Sequence, residues 1–392
     1  MRIKKIVGKA HLWLGLASGL IVLFLGITGC ILAFEREIED AIQSYRFSPK
    51  LDRPLLPPSR LKEIADKHLP GKTLHSIGYT EGRATTAVFF GFEPEEYYHI
   101  VFMNPYTGDV LKVKDMSKDF FRIVIMGHYY LWLPPNIGQP ILASATLVFV
   151  ILMISGIVLW WPRHKAAIKQ RFSIKWDAKW RRVNYDLHNV FGFYITWIAL
   201  FIALSGLVMG FQWFSKSVYW LTSGGKQLVE FTETLSDTSR IPKISHDSPA
   251  MDRLWIKTMN EHPDFKGSID VHPPENAKSS IEIAINPDIQ TYWKTDYIFY
   301  DQYTLNEIEV KHIYGKLANA SAADKILRMN YDIHVGAIAG LPGKIIAFCA
   351  SLVASSLPVT GFLIWRGRRK KAKLNSRKKS IKAEKQIALV GK

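Results

Sequence analysis

Four long apolar runs dominate the hydropathy pattern of this chain of 392 residues. Each run lacks Asp, Glu, Lys and Arg over about the 20 residues that a helix needs to cross a bilayer. The runs are Ala10–Phe34, Pro140–Pro162, Val190–Phe214 and Ile345–Trp365. The pattern predicts four membrane-spanning helices.

Two long segments of mixed polarity separate these runs, one before the second run and one before the fourth. The first contains a helix-like stretch, "PPSRLKEIADKHLPG", and both contain alternating apolar and polar residues, as in "ATTAVFFGF", "YYHIVFM" and "SSIEIAI". Such alternation is typical of antiparallel sheets with one buried face. The predicted fold class is therefore a membrane all-α four-helix bundle with two small α+β domains outside the bilayer.

The formal net charge is +17, and its distribution predicts the topology rather than a nucleic-acid partner. Lys and Arg crowd the first ten residues, the segment Arg163–Arg182 and the tail after Trp365. Cations near helix ends stay on the cytoplasmic side of a membrane. Both termini are therefore predicted to be cytoplasmic and both mixed segments to face outward, with membrane lipid around the helices and no nucleic acid bound.

The predicted order of segments runs from a cytoplasmic N-terminus to a cytoplasmic tail. It comprises the N-terminus (1–10), the first span (11–36), the first outer domain (37–125), an outer histidine segment with the second span (126–162), a basic cytoplasmic loop (163–186), the third span (187–214), the second outer domain (215–330), an outer histidine segment with the fourth span (331–366), and a basic tail (367–392).

The two halves of this order also align with each other. Alignment of the first run with the third matches three positions without gaps: His11 with His188, Gly15 with Gly192, and Gly29 with Gly206. In the other pair of runs, "SGIVLWW" aligns with "TGFLIWR", and one residue of slack in the preceding loops places His128 on His334. We therefore predict an internal two-fold repeat whose axis lies along the membrane normal.

The four histidines of this repeat are the strongest candidates for a cofactor site. Taken singly, each is more simply explained as an interfacial histidine hydrogen-bonded to a neighbour. Symmetry favours another interpretation, because two histidines related by an axis between their helices point at each other. A haem iron fits such a pair, since two neutral imidazoles fill its axial positions. We predict one haem at His11 and His188 on the inner side and one at His128 and His334 on the outer side.

Two arginines extend this hypothesis. Arg122 and Arg328 lie six residues before His128 and His334, on the side of the membrane where topology does not require cations. A guanidinium pairs well with a carboxylate, so both arginines are candidates to bind haem propionates.

The other polar residues near these motifs are assigned structural or surface roles. Asp186 in "NYDLH" and Asp332 in "NYDIH" are interpreted as helix caps, together with Asn184 and Asn330. A hydrogen bond from an imidazole N–H to either carboxylate is the alternative. The remaining histidines lack ligand spacing and are predicted to lie on the surface; they are His68, His75, His99, His164, His246, His262, His272 and His312.

Taken together, these residues resemble the PepSY-associated transmembrane proteins, bacterial inner-membrane proteins that include ferric-siderophore reductases. The resemblance rests on "AHLWLGLASG" and "GITG" in the first run, "YDLHNVFGF" and "ALSG" in the third, "SGIVLWWPRH" and "TGFLIWRGRR" ending the second and fourth, and "NPYTGDVL" in the first outer domain. It implies a cytochrome with two haem b groups, ligated by His11 and His188 and by His128 and His334, and with periplasmic PepSY-like domains. The second outer domain departs from the pattern, since it has "YTLNEI" where a glycine is expected.

The function we predict is electron transfer across the bacterial inner membrane to a periplasmic ferric siderophore or other ferric chelate. This would make the protein a haem-dependent ferric-chelate reductase used in iron uptake, with no separate catalytic residue assigned. The sequence contains no flavin or nicotinamide motif, so we expect a separate electron donor, either quinol or a cytoplasmic reductase.

Two alternatives come from other classes of protein. A membrane-anchored PepSY protein that binds, inhibits or senses a periplasmic partner would carry no chromophore and would tolerate loss of the four histidines. A transporter would be expected to carry carboxylates within its spans, and none of the four apolar runs contains Asp or Glu.

Overall fold

The computed structural model of the protein describes residues 2–92, 96–162, 168–240, 248–263 and 265–390. The chain divides into two compact units. The membrane unit comprises Met1–Ala33, Gly127–Phe211 and Lys344–Lys392, and the sheet unit comprises Phe34–Met126 and Gln212–Gly343. Arg163 and Lys165 of the predicted basic loop, and the histidines His164 and His246, lie outside the described residues.

The helices follow the apolar runs and the short amphipathic stretches between them. They are α1 (Arg2–Leu32), α2 (Glu35–Ile42), α3 (Pro58–His68), α4 (Phe120–Tyr130), α5 (Pro135–Trp160), α6 (Ile168–Phe172), α7 (Trp180–Asp186), α8 (Gly192–Gly210), α9 (Gln212–Thr222), α10 (Ala250–Glu261), α11 (Ala322–His334) and α12 (Gly340–Val390). A π-helical turn, Leu187–Phe191, joins α7 to α8 without a break.

Four helical stretches are long and apolar enough to cross a membrane, which confirms the four predicted spans. They are Ile3–Leu32, Pro135–Trp160, Trp180–Gly210 and Ala337–Arg377. Large apolar side chains on their outer surfaces stay exposed within the protein, such as Leu20 at 78% and Phe201 at 66%. Lipid would cover such side chains, since a bilayer core is as apolar as they are. The chain is therefore a membrane protein.

The spanning helices pack as a closed ring in chain order. The Trp160 ring of α5 stacks on Phe193 of α8 at a centroid distance of 3.8 Å. A Cβ added at Gly8 of α1 would lie 3.8 Å from Leu159 of α5. Helix α12 closes the ring: its Leu357 contacts Gly192 of α8, and its Ser355 contacts Gly26 of α1. Because α5 and α12 each lie between them, α1 and α8 occupy opposite corners of the bundle.

The sheet unit contains one continuous antiparallel sheet of eight strands in the order β4-β3-β2-β1-β5-β6-β7-β8. The strands are β1 (Leu74–Thr80), β2 (Thr85–Gly91), β3 (Tyr97–Met103), β4 (Val110–Asp115), β5 (Ser268–His272), β6 (Ile281–Asn286), β7 (Asp296–Tyr300) and β8 (Glu307–Ile308). Strand β1 pairs with β5 from Ile77 opposite Val271 to Thr80 opposite Ser268.

This pairing differs from the prediction of two separate α+β domains. Each outer segment does form a helix followed by four strands, but β1 and β5 join the two sets of strands into one sheet. Without this pairing, each strand would expose an unpaired row of backbone N–H and C=O groups. The predicted internal repeat stays a prediction. In both halves of the sheet the first strand lies at the centre and the fourth lies at the edge.

One face of the sheet carries the apolar core. Leu61 of α3 and Leu254 of α10 are at most 1% exposed and pack against Ile77, Ile269 and Ile283 of the central strands. Because side chains alternate across a strand, the neighbouring residues of the same strands point to the opposite face. That face carries polar groups, among them Asp270, His272 and Glu282.

Candidate functional site

His11 of α1 is held by a hydroxyl on the neighbouring helix. Its Nδ1 lies 2.8 Å from Ser155 Oγ of α5. The next residue on α5 is Gly156, and a Cβ added there would lie 3.6 Å from His11 Cε1. The serine therefore fixes one ring nitrogen, and the glycine leaves space beside the ring edge between the two nitrogens.

His188 is held in the same way at the opposite corner of the bundle. It belongs to the π-helical turn, and its Nδ1 lies 2.9 Å from Thr360 Oγ1 of α12. The following residue, Gly361, is closer still, since a Cβ there would lie 3.2 Å from His188 Cε1. Asn184 Nδ2 also donates to the Thr360 carbonyl oxygen at 3.1 Å, so two side chains of the third span bind one residue of the fourth.

The π-helical turn around His188 is a feature that hydropathy and residue spacing did not predict. Such turns insert one extra residue into a helix and occur frequently at functional sites. A histidine four residues before a glycine was the only sequence signal, and it gives no direct indication of backbone pitch.

His11 and His188 thus lie on helices at opposite corners of the ring. Both rings have Nδ1 bound to a neighbouring hydroxyl. The nitrogen left for a ligand is Nε2 in each case. Two neutral imidazoles that present Nε2 are chemically suited to the axial positions of a haem iron, so this donor set fits the predicted cofactor.

His128 shows the same arrangement at the other end of α1. It lies in α4, and its Nδ1 is 2.8 Å from Thr28 Oγ1. A Cβ added at Gly29 would lie 3.6 Å from His128 Cε1. Thr28 is about 25 Å from His11 along the helix axis, at 1.5 Å per residue. The membrane unit therefore holds two separate histidine sites, one near each end of α1.

The fourth candidate ligand, His334, is the last residue of α11 in the sheet unit. Ser321 begins this helix with a capping box, in which its side chain accepts from the Asp324 N–H and the Asp324 carboxylate accepts from the Ser321 N–H. The His128 and His334 pair stays a prediction from the sequence repeat.

The two arginines predicted to bind propionates have different surroundings. Arg328 is 6% exposed, and its guanidinium donates to the carbonyl oxygens of Gly315, at 3.0 Å, and Thr295. Its Nε has no hydrogen-bond partner among the described residues. Arg122 is partly exposed and lies 5.2 Å from the ring centroid of Tyr98. Arg328 therefore already stabilises two loops, and propionate binding by either arginine stays a prediction.

The interpretation of the two aspartates as helix caps is wrong. Asp332 is completely buried inside α11 and accepts from the backbone N–H groups of Tyr292 and Trp293 at 2.9–3.1 Å. Asp186, 1% exposed, ends α7 and accepts from Arg182 Nε at 2.8 Å. Asp332 fixes a distant loop, and Asp186 binds the Arg182 side chain and the Lys175 backbone N–H. Neither caps a helix start, because the helices begin well before the "NYD" residues.

The polar face of the sheet contains a cluster of ionisable groups that sequence analysis missed. Glu282 lies opposite His272 in the strand register, and the ring of His272 is 4.8 Å from that of His75. Burial raises the pKa of Asp270 to about 6. Burial, and then repulsion from Asp270, raises the pKa of Glu282 to about 7. The alternation in "SIDVH" and "IEIAIN" indicated one polar face but not that its ionisable groups are half-buried.

The surface assignment is wrong for His312, whereas His272 is half-buried. Burial, followed by the nearby His75, lowers the pKa of His272 to about 4. His312 is 8% exposed, and neither of its ring nitrogens has a hydrogen-bond partner among the described residues. No group of three or more His, Cys, Asp or Glu side chains in the described ranges is arranged to hold a metal ion.

Comparison with known families agrees with this architecture. The chain matches the family described as PepSY-associated TM region over residues 9–368. No curated protein sequence matches the chain. Because the family match covers nearly the whole chain, the protein belongs to this family of membrane proteins with PepSY domains.

Proposed function

We propose that this member of the PepSY-associated TM region family carries electrons across the bacterial inner membrane and reduces ferric chelates, such as ferric siderophores, in the periplasm. In this proposal the protein binds two haem b groups. His11 and His188 hold one near the cytoplasmic side, and His128 and His334 hold the other near the periplasmic side. A separate donor, quinol or a cytoplasmic reductase, supplies the electrons.

The observation that carries the proposal is the equivalent anchoring of His11 and His188. Each imidazole lies on one of two helices at opposite corners of the ring, and each has Nδ1 fixed by a hydroxyl of an adjacent helix. An ordinary interfacial histidine needs only one partner and no counterpart across the bundle. The paired arrangement leaves two Nε2 atoms available, as bis-histidine ligation requires.

The residues of the chain would position the group and exclude water from it. A haem iron with two axial imidazoles has no open position for oxygen chemistry, so when bound it supplies one-electron transfer. His11 and His188 would hold it, and the absence of Asp and Glu from the apolar runs keeps charged groups away from the spans. Arg122 and Arg328 remain candidates to pair with propionates on the periplasmic side.

The direct test is the absorbance spectrum of the full-length protein purified in detergent, oxidised and after reduction with dithionite. We expect the reduced bands of low-spin b haem and a haem content of about two per chain. Replacement of His11 or His188 by alanine should remove one haem, and replacement of His128 should remove the other. The His68→Ala variant is the matched control, because His68 is exposed and belongs to the sheet unit. A colourless wild-type protein would refute the proposal.

A second test addresses the substrate. Protein in vesicles that contain a quinol should reduce an added ferric chelate, detected as a coloured ferrous complex formed outside the vesicles. The His188→Ala variant should lose this activity while His68→Ala retains it. Equal rates with and without His188 would contradict an electron path through this histidine.

The alternative is a non-enzymatic PepSY protein that binds, inhibits or senses a periplasmic partner. The eight-stranded sheet is a large folded surface and supports such a role by itself. This function requires no chromophore, so the same spectrum separates the two proposals.

A further inference from the structure

We propose that Thr28, Ser155 and Thr360 are positioning residues, which fix the protonated nitrogen of the haem-ligating histidines so that Nε2 faces the iron. This inference rests on the proposed function. Each of the three hydroxyls binds the Nδ1 of a histidine on another helix, at distances of 2.8 to 2.9 Å. Each is followed in the chain by a glycine that lies against the Cε1 of the same ring.

The direction of these hydrogen bonds follows from the single proton of each hydroxyl. Ser155 Oγ donates to the Leu152 carbonyl oxygen of its own helix at 3.1 Å. Thr360 Oγ1 is within 3.0–3.1 Å of two carbonyl oxygens of α12, those of Leu357 and Ser356. A hydroxyl has one donor and two acceptor positions, so a hydroxyl that donates to the backbone can only accept from the imidazole.

The same assignment of donor and acceptor applies to Thr28, at the other end of α1. Thr28 Oγ1 donates to the Phe24 carbonyl oxygen at 2.9 Å and lies 3.2 Å from that of Leu25. His128 Nδ1 must then carry the proton in the bond to Thr28. A neutral imidazole has only one N–H, so its Nε2 keeps the lone pair that a metal needs. The three hydroxyls thus favour the tautomer whose Nε2 can ligate iron.

A hydroxyl is a suitable partner for this purpose inside a membrane. A carboxylate would bind the N–H more strongly and draw its proton, but an unpaired charge within a span is expensive. Burial of Ser and Thr costs little free energy because each hydroxyl donates a hydrogen bond to a carbonyl oxygen of its own helix.

The glycine after each hydroxyl completes the pattern. The dipeptides Thr28–Gly29, Ser155–Gly156 and Thr360–Gly361 lie on α1, α5 and α12, and Ser205–Gly206 on α8 aligns with Thr28–Gly29 in the sequence repeat. A side chain in place of glycine would lie against the ring carbon between the two nitrogens. Three of the spanning helices therefore place a hydroxyl–glycine dipeptide against a candidate ligand.

The chain also offers a control for the pattern itself. Ser18–Gly19 on α1 is another serine–glycine dipeptide, and Ser18 Oγ donates to the Leu14 carbonyl oxygen at 3.0 Å. Its glycine faces Pro358 of α12 rather than a histidine. Ser18→Ala thus removes the same group from the same kind of environment without touching a proposed ligand.

The test compares Ser155→Ala, Thr360→Val and Thr28→Val with Ser18→Ala in the full-length, haem-loaded protein. The midpoint potential of each haem is measured by redox titration, and the ligand geometry by electron paramagnetic resonance of the oxidised protein. We expect Ser155→Ala and Thr360→Val to change the same haem, and Thr28→Val to change the other. Loss of a bond to a ligating imidazole should change the ratio of ferric to ferrous affinity about three- to tenfold, where tenfold corresponds to about 59 mV.

Rescue distinguishes positioning from general packing. Ser155→Thr and Thr360→Ser keep the hydroxyl and should restore the wild-type potentials and resonance signals, whereas Ser18→Ala should leave both haems unchanged. The inference is overturned if the three hydroxyl variants match Ser18→Ala in both measurements while the protein remains coloured. A colourless wild-type protein would instead refute the proposed function, so the two failures are distinguishable.

Discussion

Gly26 of α1 and Ser355 of α12 approach so closely that a Cβ added to the glycine would lie 2.6 Å from the serine Cβ. The same added atom would lie 2.9 Å from the Ser351 backbone carbonyl oxygen. Helices that pack in lipid gain stability from such close backbone contacts, because no difference in hydrophobicity drives them together. This contact closes the ring of helices near the end of α1 that carries Thr28 and Gly29, the residues against His128.

Replacement of Gly26 by alanine should therefore destabilise the membrane unit. Relief of the overlap needs a backbone shift of α1 or α12, and overpacking of this kind costs about 1–3 kcal/mol. We expect a lower thermal unfolding midpoint in detergent. Gly8→Ala is the matched control, since its added Cβ would make an ordinary 3.8 Å contact with Leu159. Equal midpoints for the two variants would show that α1 and α12 do not pack this tightly.

The two glycines beside His11 and His188 should differ in their tolerance of alanine. A Cβ at Gly361 would lie 3.2 Å from His188 Cε1, so the ring must move by a few tenths of an ångström, whereas at Gly156 the distance to His11 is 3.6 Å. We expect Gly361→Ala to reduce haem content or broaden the reduced absorbance band, and Gly156→Ala to leave both unchanged. The measurement is haem content per chain, and a greater loss in Gly156→Ala would contradict the geometry.

The sheet unit should lose stability as the pH rises through the titration of Glu282. Its pKa in the fold is about 7 against an ordinary value of 4.5, so the folded state binds more protons than the unfolded state in this interval. The stabilising contribution of the protonated form is complete below about pH 4.5 and is lost as the pH passes about 7. Asp270, with a pKa raised to about 6, adds a change of the same sign.

Glu282→Gln removes one of these titrations and should make the unfolding midpoint less dependent on pH. We expect the variant to gain stability relative to wild type at pH 8 and to gain less at pH 5, measured by thermal unfolding at both values. Glu81→Gln serves as the control because Glu81 is an exposed turn residue of the same unit. If Glu282→Gln keeps the wild-type difference between the two pH values, the burial of this carboxyl is not the source of the dependence.

Variants of Arg328 and Arg122 should show whether each arginine stabilises the fold or binds a propionate. Arg328→Lys removes the planar fork that reaches two backbone carbonyl oxygens, and each buried acceptor left without a donor costs about 1–3 kcal/mol. We expect a lower unfolding midpoint for this variant. Arg122→Gln should leave the midpoint near wild type and, if Arg122 pairs with a propionate, shift the potential of the outer haem. A stable Arg328→Lys protein with an altered haem would favour propionate binding by Arg328 instead.

Local patterns in the sequence were sufficient to predict the spans but not their contacts. Hydropathy depends on each run alone, so all four helices were expected. The partners of the histidines are on other helices, and spacing within one run contains no information about them. Ser155 and Thr360 were visible only as the first residues of two aligned motifs. The repeated Ser/Thr–Gly dipeptide was the signal that could have indicated their role.

The sheet shows the same limit in the other unit. Alternation predicted strands, yet the pairing of β1 with β5 joins segments far apart in the chain, and no local pattern specifies it. The aspartates of "NYDLH" and "NYDIH" also misled, because an Asp near a helix start is usually a cap. Asp332 instead binds the loop that contains Tyr292 and Trp293, a contact set by tertiary structure.

The pairing of β1 with β5 also sets an order for biosynthesis. Between Thr80 and Ser268 the chain contains the whole of α5 and α8, and both must enter the membrane before β5 is available. At the usual 5–20 residues per second, β1 waits roughly 10 to 40 seconds for its partner while its edge is unpaired. An arrest of translation in this interval would leave a four-stranded half-sheet with an open edge, the kind of species that chaperones and proteases recognise. The sheet can therefore be completed only after the third span has been inserted.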